Sequence, residues 1–189
     1  MKSSMPVSPV SDAAKATCLG IADLSPLARA GAKGPGTAAW LAGLGLPLPA
    51  LPNSWLKLAD GGLIARLGNT EYLIEGSAAL IEPIVQAPRV AGVYPVLRQD
   101  ASFALCGSRV SELLLQVCNV DFRSLAADPS QLVLTSMAGV GVTVLRTGDS
   151  TSPVYRLWCD GTYSHYLRET LGGIAEELGG GCISPAALP

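Results

Sequence analysis

Apolar positions along this chain switch repeatedly between a two-residue and a three-to-four-residue period, dividing it into short strands and helices. Thr17 to Ala22 reads as a short apolar strand and Leu27 to Lys33 as a second. Gly34-Pro35-Gly36-Thr37 then turns the chain into a helix, with Thr37 or Gly36 near the cap and Trp40, Leu41 and Leu44 on one face. Leu46 to Pro52 is a Pro-rich connection that cannot join a sheet interior. A meander follows, Ser54 to Leu58, Leu63 to Leu67 and Glu71 to Glu75, with turns at Asp60-Gly61-Gly62 and Gly68-Asn69. Ser77 caps a helix carrying Leu80, Ile81, Ile84 and Val85, although Pro83 stands inside it.

The order then recurs. Gly92 to Leu97 and Ala101 to Cys106 are strands, and Gly107-Ser108 opens a helix with Val110, Leu113, Leu114 and Val117 on its apolar face. Leu132 to Thr135, Gly139 to Arg146 and Val154 to Cys159 are strands, with Gly148 to Pro153 a loop before the last of them. Tyr163, Tyr166, Leu167, Leu171, Ile174 and Leu178 recur at helical spacing until Gly179-Gly180-Gly181 stops the helix. Ala28 to Leu41 lines up with Ala101 to Leu114, placing Gly34 opposite Gly107, and Glu71 to Ile84 runs parallel to Tyr155 to Leu171. The expected fold is α+β: two similar halves, about 16–90 and 91–182, each of antiparallel strands with helices on one face. Residues 1–15, rich in Ser and Pro, read as a flexible N-terminal arm outside a single domain over 16–182.

Composition adds a constraint. Apolar residues make up 49% of the chain and charged residues 15%, against roughly a quarter charged in an ordinary soluble domain. Part of the surface is expected to lie against a partner; an Ala- and Gly-rich domain of ordinary kind is the other reading. The 13 Lys and Arg are scattered and the net charge is −2, so no basic stripe exists for nucleic acid. No apolar run reaches membrane-spanning length. Five cysteines without a Cys-x-x-Cys pair read as small apolar residues in a reducing cytosol.

Candidate chemistry is sparse, and no residue is assigned a catalytic role. His165 is the one histidine, and Asp160, the near acid, suits a helix cap better than a catalytic pair. One histidine and scattered cysteines give no metal-ligand spacing. Gly31 to Thr37 has the glycines and lysine of a phosphate loop in the wrong order, and reads as a turn. Arg29, Lys33, Arg66 and Glu71 interrupt apolar strand patterns, so each is either solvated or paired at an interface. The turn at Gly68-Asn69 places Arg66 and Glu71 at or near opposite positions on facing strands. Trp40, Trp55 and Trp158 are core or interface anchors. The residues expected to meet a partner are Arg29, Lys33, Trp55, Arg66 and Glu71.

Several stretches resemble the gamma subunit of heterotetrameric sarcosine oxidase. They are Asp23-Leu24-Ser25 through Arg29, Gly31 and Lys33-Gly34-Pro35; Pro52-Asn53-Ser54-Trp55; Ala65-Arg66-Leu67-Gly68 with Thr70-Glu71-Tyr72-Leu73-Ile74-Glu75; Gln99-Asp100-Ala101-Ser102-Phe103; and Tyr155-Arg156-Leu157-Trp158. That subunit is related to the folate-binding module of the glycine-cleavage T-protein. The resemblance implies a cytoplasmic, non-catalytic neighbour of larger flavin- and folate-binding subunits and a small cysteine-rich subunit. FAD, FMN, NAD, tetrahydrofolate and zinc would then sit in those partners, with no cofactor on this chain alone. Related demethylases use a similar small subunit, so the N-methyl substrate is left open. The alternative it carries is a stand-alone tetrahydrofolate-binding aminomethyltransferase-like protein. The T-protein's additional domain has no counterpart here, and the Lys-Gly-Cys-x-x-Gly-Gln-Glu signature of the T-protein-like iron–sulfur maintenance family is absent.

Overall fold

A computed structural model describes residues 10–122, 128–148 and 151–189. Helix α1 (Asp12–Leu19) leads into strand β1 (Gly20–Asp23), and β2 (Ala28–Lys33) turns into α2 (Thr37–Gly43). The meander is β3 (Ser54–Lys57), β4 (Leu63–Arg66) and β5 (Glu71–Gly76), followed by α3 (Ala78–Gln86). A two-residue strand, β6 (Tyr94–Pro95), precedes β7 (Ala101–Cys106) and α4 (Val110–Val117). Strands β8 (Leu132–Met137), β9 (Val140–Thr147) and β10 (Val154–Cys159) lead through a 3-10 turn (Gly161–Tyr163) into α5 (Ser164–Glu177) and β11 (Gly181–Ile183).

Two sheets result, ordered β3-β4-β5-β2-β6 and β11-β1-β7-β10-β9-β8. The pairings are antiparallel except β1 with β11, which run parallel. Because strand side chains alternate, each sheet has two apolar faces. On β10, Tyr155, Leu157 and Cys159 enter the core with Val110, Leu113, Leu167 and Leu171 from α4 and α5. On β5, Tyr72 and Ile74 join Leu41 of α2 with Ile81 and Ile84 of α3. The opposite faces meet each other, Leu63, Ala65 and Leu73 of one sheet against Leu132, Leu145 and Trp158 of the other. The expected α+β architecture is the one found, in four layers of helix, sheet, sheet and helix.

The duplication is visible in detail. In each half the strand before a helix pairs with the strand before the next helix: β2 with β5, and β7 with β10. Gly34 and Gly107, aligned in the sequence, both have left-handed φ, +118° and +108°. A Cβ on either would strike a carbonyl oxygen, Gly92 O and Cys18 O respectively, so both turns need glycine. The ladders shift the second alignment by one residue: Ala28 faces Gly76 and Ala101 faces Cys159, so Glu71 matches Val154 rather than Tyr155. Glu75 and Trp158 therefore hold equivalent positions, and both face the other sheet.

Other departures have local causes. The strand expected over Gly92 to Leu97 contracts to Tyr94–Pro95, since Pro95 has no N–H to donate and Gly92 turns at φ +79°. Leu44 does not join the apolar face of α2 and is exposed. The halves also exchange edge strands, β1 lying in the second sheet and β6 in the first. The arm does not extend to residue 15. Residues 1–9 lie outside the described residues, while Asp12–Lys15 form the first half of α1, capped by the Ser11 hydroxyl, which accepts from Ala14 N–H at 3.3 Å. The helix also displaces the beginning of the strand expected from Thr17. Ala16 packs beside Cys106 and Ile183, Asp12 Oδ2 accepts from Ser184 N–H at 2.7 Å, and Cys18 O accepts from Arg109 N–H at 2.9 Å. Deleting residues 1–15 removes the cap and the Asp12 bond, and should cost about 1–3 kcal/mol, lowering the melting temperature by several degrees. Thermal denaturation of the full and shortened chains tests this, and coincident melts would contradict it.

Candidate functional site

The alternation that buries Leu73 against the second sheet carries Glu75 to the same place, and its side chain is 1% exposed. Three donors converge on the carboxylate. Arg29, its neighbour on β2, donates from Nε at 2.5 Å. Arg156 Nη2 and Trp158 Nε1 reach it from β10 in the opposite sheet, Trp158 at 2.7 Å. A buried ion costs several kcal/mol unless its lone pairs are met, and here they are. Arg29 is also held by carbonyls, its Nη1 donating to Ser25 O at 3.2 Å and Asp100 O at 3.0 Å, and its Nη2 to Leu24 O at 2.9 Å. The Arg156 guanidinium lies 5.5 Å from the centroid of the Trp158 ring. Burial pushes the Arg156 pKa down, the Glu75 charge works against that, and Arg29 adds to it.

The five residues expected at an interface scatter in the structure. Arg29 is 4% exposed and belongs to the Glu75 cluster, not to an outer face. Lys33 is exposed at the end of β2. Trp55 is half-buried against Leu63 and its neighbours, its indole N–H donating to Pro129 O at 2.8 Å. Arg66 and Glu71 do not pair. The residue opposite Arg66 is Tyr72, and the guanidinium collects backbone carbonyls, Ala50 O at 2.7 Å and Asn69 O at 2.9 Å among them. Glu71 instead accepts from Arg98 Nη2 at 2.6 Å. Glu75 and Arg156 were absent from the expected set. Their signal was present: Arg156 is a lone charge in an apolar strand, as Arg29 is, and Glu75 ends the unbroken apolar run Tyr72-Leu73-Ile74.

The remaining candidates resolve simply. His165 is exposed. Asp160 caps the 3-10 turn, accepting from Thr162 N–H at 2.9 Å and its hydroxyl at 2.6 Å, and these bonds hold its carboxyl below the usual range. In the Gly34–Thr37 turn, the amides of Gly34, Gly36 and Thr37 donate to Thr70 O, Gly92 O and Gly34 O, leaving them engaged rather than aimed at an anion. Cys106, Cys118 and Cys159 are buried, Cys18 is half-buried and Cys182 is exposed. Among the described residues, His, Cys, Asp and Glu form no group of three that could hold a metal, and no helix is long and apolar enough to cross a membrane. Beside Arg156 a cavity of about 620 Å³ opens, lined by Trp55, Lys57, Leu63, Val154 and Leu188 among others. A smaller one of about 240 Å³ adjoins Glu75.

No family profile matches the sequence, and no curated protein matches it. Solved structures do match. A chain of the heterotetrameric sarcosine oxidase from Corynebacterium sp. U-96, determined in complex with pyrrole 2-carboxylate, superposes with a TM-score of 0.72 at 19% identity, covering 89% of this chain and 95% of that one. The glycine cleavage system aminomethyltransferase T from Bartonella henselae superposes with a TM-score of 0.65 at 14% identity, covering 93% of this chain and 51% of that one. The three share one fold. At these identities the likeness is one of architecture, and it agrees with the T-protein-like fold expected from the sequence.

Two outcomes follow from the site. Glu75→Ala leaves two guanidiniums without their shared carboxylate and should cost about 3–5 kcal/mol in urea unfolding; a loss under about 1 kcal/mol, the scale of an exposed pair, would show that the cluster is not a structural tie. Burial, then the charges of Asp100 and Asp160, push the Cys159 thiol up to about 11. At about pH 8, iodoacetamide should therefore label the exposed Cys182 and spare Cys159. Mass spectrometry of the alkylated native protein checks this, and modified Cys159 would contradict it.

Proposed function

We infer that this chain is a non-catalytic, gamma-type accessory subunit of a heteromeric sarcosine oxidase or a related N-methyl amino acid oxidase or demethylase. The observation that carries the reading is extent. The fold matches a chain of a heterotetrameric sarcosine oxidase along 95% of its length, but only about half of the aminomethyltransferase. Two further features support it. The most deeply buried carboxylate among the described residues, Glu75, is engaged by Arg29, Arg156 and Trp158 in holding the sheets together. Val85, Val90, Tyr94 and Leu97 are all exposed on one stretch of chain, Leu97 at 80%, and such apolar surface suits a covered interface.

In this reading, larger subunits hold the flavins, NAD, tetrahydrofolate and zinc, and this chain contributes contact surface. Purification of the tagged chain from its native host is expected to bring down flavin-bearing larger subunits, recognised by their absorbance. Recovery as a flavin-free homomer without companions would overturn the assignment. The shared fold with the aminomethyltransferase favours a second reading, a stand-alone tetrahydrofolate-binding protein. Titrating the isolated chain with tetrahydrofolate separates the two, since saturable binding would favour the second and its absence at high micromolar ligand the first.

A further inference from the structure

The Glu75 cluster contains two positive charges and one negative charge. The surplus is not shared evenly between the two arginines. Arg29 has Glu75 and three backbone carbonyls around its guanidinium. Among the described residues Arg156 has Glu75 as its one hydrogen-bond partner, and its Nε is buried with none. With Gly61, Gly62 and Leu63 it also lines both cavities. The unmatched charge thus stands at the wall of an open space.

The larger cavity fits that charge. At about 620 Å³ it lies within the usual range for small-molecule sites, roughly 300–1,000 Å³. Trp55, Leu63, Val154 and Leu188 supply apolar wall, Lys57 and Arg146 supply further cations, and among the described residues no acidic side chain lines it. Lys57 is exposed and makes no ion pair among the described residues. A guanidinium with free N–H groups matches a planar carboxylate better than it matches a point charge. We propose that this cavity binds a small carboxylate with an apolar body, the carboxylate between Arg156 and Lys57 and the body against Trp55 and Leu63. Such a ligand completes the charge of the cluster and engages the donors that Glu75 leaves free. The site belongs to this chain alone and stands whether or not larger subunits co-purify.

Calorimetric titration of the full chain with sodium benzoate, and separately with inorganic phosphate, tests the proposal at low salt. Benzoate is expected to bind saturably at one site per chain and more tightly than phosphate. Lys57→Glu, a surface change, should weaken benzoate about tenfold by reversing a charge at the site, and Arg156→Gln should abolish binding. Because Arg156→Gln also disturbs Glu75, Lys57→Glu decides the matter if that variant fails to fold. Absence of saturable benzoate binding, unchanged affinity in Lys57→Glu, or tighter binding of phosphate than of benzoate would each overturn it.

Discussion

One carboxylate joins the two sheets. Glu75 lies where a strand of each sheet presents its inner face, and the ligands of its oxygens come from both: Arg29 from its own sheet, Arg156 and Trp158 from the other. An apolar contact between sheets fixes their separation but tolerates sliding, because burial has no direction. A carboxylate with fixed lone pairs does not, and a buried one must have every partner in place. The leucines around it, Leu63, Leu73, Leu132 and Leu145, supply the area; Glu75 sets the register, together with the backbone bridge between Ser54 and Gln131 at the edge. Arg29 carries that constraint further, into the carbonyls of Leu24, Ser25 and Asp100.

The internal duplication explains why the tie is central. Glu75 and Trp158 occupy matching places in the two halves, and they hydrogen-bond to each other across the approximate symmetry. Residues near such an axis meet their own counterparts, as in an isologous dimer interface. Here the two copies have diverged into an acceptor and a donor. Each half thus presents what the other lacks.

Much of this was legible in the sequence, and the part that was not has a common cause. Strands β7 and β10 fall where the apolar runs put them, Ser77 caps α3, and the Gly34–Gly107 alignment holds to the sign of φ. These depend on neighbours a few residues away. Helix α1 was hidden because its apolar residues are mostly alanines, which carry little periodic signal. Strand β11 is three residues long and contains Gly181, so only its pairing with β1 makes it a strand. The same holds for the charges. Arg66 and Glu71 lay on adjacent strands and were expected to meet, yet backbone carbonyls and Arg98 claimed them. Pairing Glu75 with Arg156 requires knowing which two faces touch, and no periodicity within a strand contains that.

The exchange of edge strands between the halves bears on how the polypeptide acquires its shape. The first sheet is incomplete until Tyr94 and Pro95 are available to pair with β2, and the second draws β1 from before the first sheet and β11 from after every other strand. Neither half can close on its own. Separating the chain near residue 90 would yield two fragments with unpaired edges, the state that invites aggregation. During synthesis β1 must wait for β7, and then for β11, with its inner face open in the meantime. Contacts so distant in sequence make for slow folding, so this architecture trades modular assembly for a single cooperative unit.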